Sequence, residues 1–162
     1  MKTLEITFLA LFLAVTGCVT NPQNSASSNM SDFKNPDPKI EAMHVEAYNM
    51  DLGIGVPQDR EKANELYLQA ALAGDPRSML NLGVNLIDGE GIKRDEIEGI
   101  AWLEVARFIT RQTQDMTTKW RIRGALDHYK AGFSDETLKS AESRAKKLLE
   151  QVSVGNAGKP RA

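Results

Sequence analysis

The sequence predicts an all-α fold: a short array of stacked helical hairpins closed by a further pair of helices. A seven-residue turn occurs twice, GIGVPQD from Gly53 to Asp59 and GEGIKRD from Gly89 to Asp95, 36 residues apart. Each copy lies between apolar residues at helical spacing, and small residues follow both at matching offsets: Ala63 and Gly99, then Ala70 and Ala106. Self-similarity at such a period is the mark of a helical repeat array. No strand pattern precedes the glycine pairs, which separates them from a dinucleotide-binding loop.

Each residue type in the turn has a physical task. Gly53 and Gly55, like Gly89 and Gly91, supply positive φ where a helix ends, at a point where a Cβ would cost on the order of 1 kcal/mol. Val56 and Ile92 are expected to plug their turns into the core. Asp59 and Asp95 are placed to cap the next helix through a side-chain oxygen, and Asp95 with Glu98 also fits a capping box.

The remaining elements follow in order. Lys2 precedes an apolar run from Ile6 to Val15, of a length suited to a secretory signal and too short to span a bilayer. The run ends in Val15-Thr16-Gly17-Cys18, which looks like a bacterial lipobox with Cys18 as the lipidated residue. Glu5 departs from the usual positive start. Cys18 is the only cysteine in the chain, so no intramolecular disulfide can form. Two or three acyl chains, palmitate among them, would hold the protein stably on a membrane. Val19, rather than Asp, follows the cysteine, and among lipoproteins of this pattern that implies the outer membrane facing the periplasm. Residues 1–17 are therefore expected to be a signal peptide and 18–37, rich in Asn, Ser, Gln and Pro, a flexible tether.

Asp37-Pro38 reads as a cap followed by proline at the first helical position. The helix it opens carries Ile40, Met43, Ala47 and Met50. A second, from Asp59, has an apolar stripe of Ala63, Leu66, Tyr67, Ala70 and Ala71 and stops at Gly74. Asp75-Pro76 repeats the opening for a third helix with Met79, Leu82, Gly83 and Leu86, where Gly83 would let a neighbour approach closely. The fourth, Glu96 to about Arg111, is apolar nearly all round and so needs cover from several sides. Two more helices are expected, roughly Met116 to Ala131 and Asp135 to Val152, the latter capped by Ser134. About three units are needed for a stable solenoid, so residues 113–153 are expected to form an atypical third unit that caps the two repeats of 38–112. Residues 154–162 should fray.

Taken together, Gly53, Gly55, Val56, Asp59, Leu66-Tyr67 and Ala70-Ala71-x-x-Gly74 in one copy, and Leu82-Gly83, Leu86, Gly89, Gly91, Asp95, Trp102 and Ala106 in the other, resemble the Sel-one-like repeat, a branch of the tetratricopeptide-like hairpins. The likeness covers roughly residues 42–108. The first copy departs from the pattern where Glu46 replaces Leu and Ala47 replaces Gly. In such hairpins the first helix of each unit lines the concave side. By register, the resemblance therefore implies a protein-binding groove at Glu41, His44 and Tyr48 in one repeat and Arg77, Leu80 and Val84 in the next. It implies a scaffold for a protein or peptide partner; with the lipobox-like end at Cys18 and the lack of catalytic groups, the expectation is a membrane-tethered, non-catalytic protein working without a cofactor. Alternatives are an immunity or inhibitor protein against an envelope-acting toxin, and a hydrolase of cell-wall peptides or β-lactams.

Catalytic and metal-binding motifs are not evident. The two histidines, His44 and His128, lie on helices with no second ligand four residues away, and only Glu41 could assist His44, so both read as surface or groove residues. A net charge of −2 gives no basic excess to suggest nucleic acid. Lys119 and Arg123 share one helical face while Ile122 faces inward, so the Lys119–Arg123 segment reads as a solvated basic face.

Overall fold

The computed structural model describes residues 37–111 and 113–157. Cys18, the signal and nearly all of the tether lie outside them, as do residues 158–162. The described residues form six helices and no strand: α1 (Pro38–Leu52), α2 (Arg60–Leu72), α3 (Pro76–Asp88), α4 (Glu96–Thr110), α5 (Met116–Lys130) and α6 (Asp135–Ala157). The fold is an all-helical repeat solenoid. The last helix continues to Ala157, past the boundary at which fraying was expected.

Local chemistry sets most of the helix boundaries. The side chains of Asp37, Asp59, Asp75, Asp95 and Asp115 each accept from a backbone N–H in the first turn of α1 to α5, which satisfies donors the helix itself leaves free. Ser134 does the same for α6, taking Thr137 N–H at 3.2 Å. The doubled turn has one geometry in both places. Gly53 and Gly55 have φ of 72° and 71°, and Gly89 and Gly91 have 76° and 65°. Asp59 N donates to Met50 O at 2.9 Å and Asp95 N to Leu86 O at 2.8 Å, bonds that match residue for residue.

The hairpins α1–α2 and α3–α4 stack through α2 and α3, and their apolar sides merge into one core around Tyr67, Met79, Leu82, Trp102 and Leu103. Within α3–α4 the helices meet backbone to backbone. A Cβ on Gly83 would lie 2.9 Å from the Gly99 carbonyl oxygen, and one on Gly99 2.6 Å from that of Gly83. The close approach expected at Gly83 is thus reciprocal.

The capping pair is not a third hairpin. Both α5 and α6 pack on α4, and α6 also reaches α2, but the two do not lie along one another. The reason is in α5. Asp115 with Thr118 and Ile122 with Leu126 match Asp75 with Ser78 and Leu82 with Leu86, which places Arg123 where α3 has Gly83. A side chain that long prevents the backbone-to-backbone seating that α4 has on Gly83, and α6 instead lays Ala141, Leu148 and Val152 into the main core. This arrangement covers α4 on most sides, leaving Ile97 and Phe108 exposed.

Three further expectations are corrected. Val56 is 40% exposed and does not plug its turn, because no helix among the described residues lies over it, whereas Ile92 packs on the core. The capping box at Asp95 is half formed: Asp95 accepts from Glu98 N at 2.9 Å, but the Glu98 carboxylate turns outward to Arg144 of α6, with Nη2–Oε1 at 2.9 Å. His44, read as a surface or groove residue, is buried.

Candidate functional site

The first helices of the successive units, α1, α3 and α5, stand side by side. Arg77 of α3 reaches Glu41 of α1, and Tyr129 of α5 donates to Asp88 of α3 at 2.7 Å. Burial and the Asp88 carboxylate push the Tyr129 phenol up to about 12. The wall they form is where the six groove residues were expected, and the structure divides those six into two sets.

Glu41, Tyr48, Arg77 and Val84 reach the surface to differing extents. Tyr48 is exposed, with its ring stacked on that of His44 at 6.4 Å between centroids. Glu41 and Arg77 form a two-pronged ion pair, Oε1–Nη1 at 3.0 Å and Oε2–Nη2 at 2.5 Å. The guanidinium holds the Glu41 carboxyl below its ordinary range, and Glu41 in turn raises Arg77. Val84 is partly buried against the core.

His44 and Leu80 do not line the wall; they are 8% and 4% exposed. They belong instead to the stripes that face each hairpin's second helix: Ile40, His44 and Ala47 on α1, and Leu80, Gly83 and Ile87 on α3. The His44 ring lies 6.0 Å from that of Tyr67 on α2. Its Nδ1 is 2.9 Å from Ser78 Oγ and 3.3 Å from Asp75 Oδ2.

Serine, histidine and a carboxylate in mutual reach invite comparison with a nucleophilic triad, but the hydrogen bonds run the wrong way. Ser78 Oγ donates its one proton to Asp75 Oδ2 at 2.6 Å, so it can only accept from His44, which fixes the imidazole with Nδ1–H as donor. A nucleophilic serine would give that proton to the imidazole. Ser78 is also wholly buried. The cluster is a joint: Asp75 caps α3 through Ser78 N at 3.0 Å, holds Arg77 Nε at 3.1 Å, and ties both to α1 through His44. Burial pushes the His44 imidazole down; the charge of Asp75 pulls it part of the way back, and Arg77 and Arg121 of α5 add to the depression.

A second buried polar link went unrecognised in the sequence. Asn64, inside the apolar stripe of α2, takes Asn85 Nδ2–H at 2.9 Å and gives its own to the Glu90 carbonyl at 2.8 Å. The signal was available, since Asn85 is matched by Asn49 at the same place in the previous repeat. Above it, Gly91 crosses the start of α2 so closely that a Cβ would meet Arg60 Cβ at 2.3 Å, and Arg60 pairs with Glu90. Among the described residues no group of three His, Cys, Asp or Glu side chains is placed to hold a metal, and no helix is long and apolar enough to cross a membrane.

Comparison with known proteins agrees with this geometry. The Sel1 repeat family model matches residues 40–75 and 76–106, the two stacked hairpins. One similar solved structure is a protective antigen present in uropathogenic Escherichia coli strains, displaying an SLR fold. It is 20% identical with a TM-score of 0.61, over 76% of this chain and 26% of that one. Another is a Sel1 repeat protein from Oxalobacter formigenes, 24% identical with a TM-score of 0.50, over 74% of this chain and 49% of the other. This chain thus spans about a quarter of the first and about half of the second, and the likeness is one of fold. No curated protein matches the sequence.

Proposed function

From two stacked Sel1 repeats, we propose that the protein is a non-catalytic scaffold that binds another protein, held by lipid at Cys18 on an envelope membrane and facing the periplasm. The observation that carries the binding role is the wall of α1 and α3. There Tyr48, 39% exposed and stacked on His44, lies on the face of α1 that also carries Glu41 two turns earlier, where Arg77 fixes it. An aromatic ring on the same helical face as charged groups whose positions are already set offers contact area and orientation at little entropic cost. The site is narrower than the six-residue groove, since His44 and Leu80 serve the hairpin interior. The inward run of hydrogen bonds at Ser78, Asp75 and His44 supports a structural role for the one cluster that could suggest hydrolysis. The lipobox-like end at Cys18 supports the tether.

Recovery of partners from an envelope extract, with intact protein set against Tyr48→Ala and Arg77→Ala variants, tests the binding role; equal recovery by all three would exclude this wall. Mass measurement of the mature N-terminus tests the anchor, because diacylation at Cys18 adds a mass that an ordinary signal cleavage does not.

A further inference from the structure

The face of α5 turned away from the core is a hairpin face without its hairpin partner. In α1 and α3, the residues at the second, third and fourth positions of this stripe are His44, Ala47 and Asp51, and Leu80, Gly83 and Ile87. Their second helices, α2 and α4, cover them: Tyr67 of α2 reaches Asp51 at 3.4 Å, and Gly99 of α4 lies against Gly83 and Ile87. The same register in α5 gives Trp120, Arg123 and Asp127, with Met116 one turn before. All four are exposed, Trp120 by 63% and Met116 by 56%. Among the described residues no helix lies along this face, and α6 is committed elsewhere.

We infer that this open face of α5 docks an acidic amphipathic helix of a partner protein, seated where the second helix of a third hairpin would lie. Register supplies the shape of the occupant, since α2 and α4 show that the slot takes a helix. Charge supplies its chemistry. Trp120 shares this face with Arg123, and Lys119 stands at its edge with its ammonium on the Thr113 carbonyl at 2.6 Å. Against these stands the carboxylate of Asp127, and the Arg123–Asp127 contact is a loose 3.7 Å between two well-exposed side chains. Arg123 lies over the indole, 5.7 Å from the ring centroid, so a carboxylate arriving there meets a cation held beside an apolar anchor. With Arg123 in the place of Gly83, an occupant cannot approach backbone to backbone as α4 does. It must stand off by a side chain, with acids toward Arg123 and Lys119 and aliphatic groups toward Trp120 and Met116. This inference rests on the reading of the chain as a protein-binding scaffold but uses a different surface from Tyr48 and Arg77.

The full-length protein can be titrated with two synthetic helical peptides of equal length, one with Leu and Glu at heptad spacing and one with Lys in place of Glu. Trp102 is 2% exposed, so a change in tryptophan emission on binding reports Trp120. The expected result is a shift to shorter wavelength with the acidic peptide alone, and amide shifts confined to α5. Affinity should fall about tenfold in Arg123→Glu, with unchanged helicity, and stay as it was in Tyr48→Ala and Arg77→Ala. Loss in those two variants would instead assign the peptide to the α1–α3 wall. Equal binding of both peptides, or of neither, would overturn the inference. So would stronger attachment to phosphatidylglycerol vesicles than to the acidic peptide, or a self-association abolished by Arg123→Glu.

Discussion

Arg77 grips Glu41 from the same position one repeat later: the two lie 36 residues apart, at equivalent places on α3 and α1, and bond through both guanidinium nitrogens and both carboxylate oxygens. The position that carries an acid in one unit carries a base in the next, which converts a repeat into a clasp. Arg77→Ala should cost about 1–2 kcal/mol, because it also leaves the buried Asp75 with one partner fewer. Glu41→Ala, at the more exposed end, should cost less than about 1 kcal/mol. Urea denaturation of the two variants and the double variant checks both values and their coupling; equal costs would show that Asp75 gains nothing from Arg77.

His44 makes the joint between repeats sensitive to mild acid. Burial lowers its affinity for a proton in the folded state, so the unfolded chain binds the proton more tightly. Stability is therefore level above the ordinary imidazole value of about 6.5 and declines as pH falls below it. Glu41, Glu104 and Asp115 have lowered values, so their stabilising effect is lost only nearer the carboxylate range, well below this window. Thermal unfolding from about pH 8 to about pH 5 should show a decline that His44→Gln removes. An unchanged slope in the variant would rule out His44 as its source.

Three glycines should respond to alanine in different ways. Gly83→Ala and Gly99→Ala press a methyl against a facing backbone carbonyl, which cannot step aside alone, so each should destabilise by about 1–3 kcal/mol. Gly124 lies within α5 with open space around its Cβ position, so Gly124→Ala should stabilise by about 0.5–1 kcal/mol. Calorimetric midpoints would move in opposite directions; a shared direction would contradict the packing described for α3 and α4.

The two turns should differ under the same change although their dihedral angles agree. At Gly55 a Cβ meets nothing within 4 Å, and Gly55→Ala should cost about 1–2 kcal/mol from positive φ alone. At Gly91 the added atom also runs into Arg60, at 2.3 Å. Gly91→Ala should be the more damaging of the pair, and should loosen the start of α2 in hydrogen exchange as well. Equal protection of α2 in both variants would show that the second turn does not press on it.

The helix boundaries, the matched corners and the solenoid itself were legible in the residues because their causes are local. An aspartate before a first turn, a glycine where φ must be positive and an apolar stripe at helical spacing each act within a few residues of chain. The fate of side chains on those helices was less legible. His44 and Leu80 were placed on the wall by register, yet a stripe's surroundings depend on which helix covers it. Asn64 reads as a break in an apolar pattern until Asn85 and the Glu90 carbonyl stand opposite it. The swap of Gly83 for Arg123 is visible in the chain, but only the packed structure shows α6 settling on α4 and α2 and leaving Trp120 uncovered. Short-range chemistry set the elements and their order; which faces were hidden was decided when the elements met, because burial belongs to pairs of surfaces and no single stretch of sequence contains both.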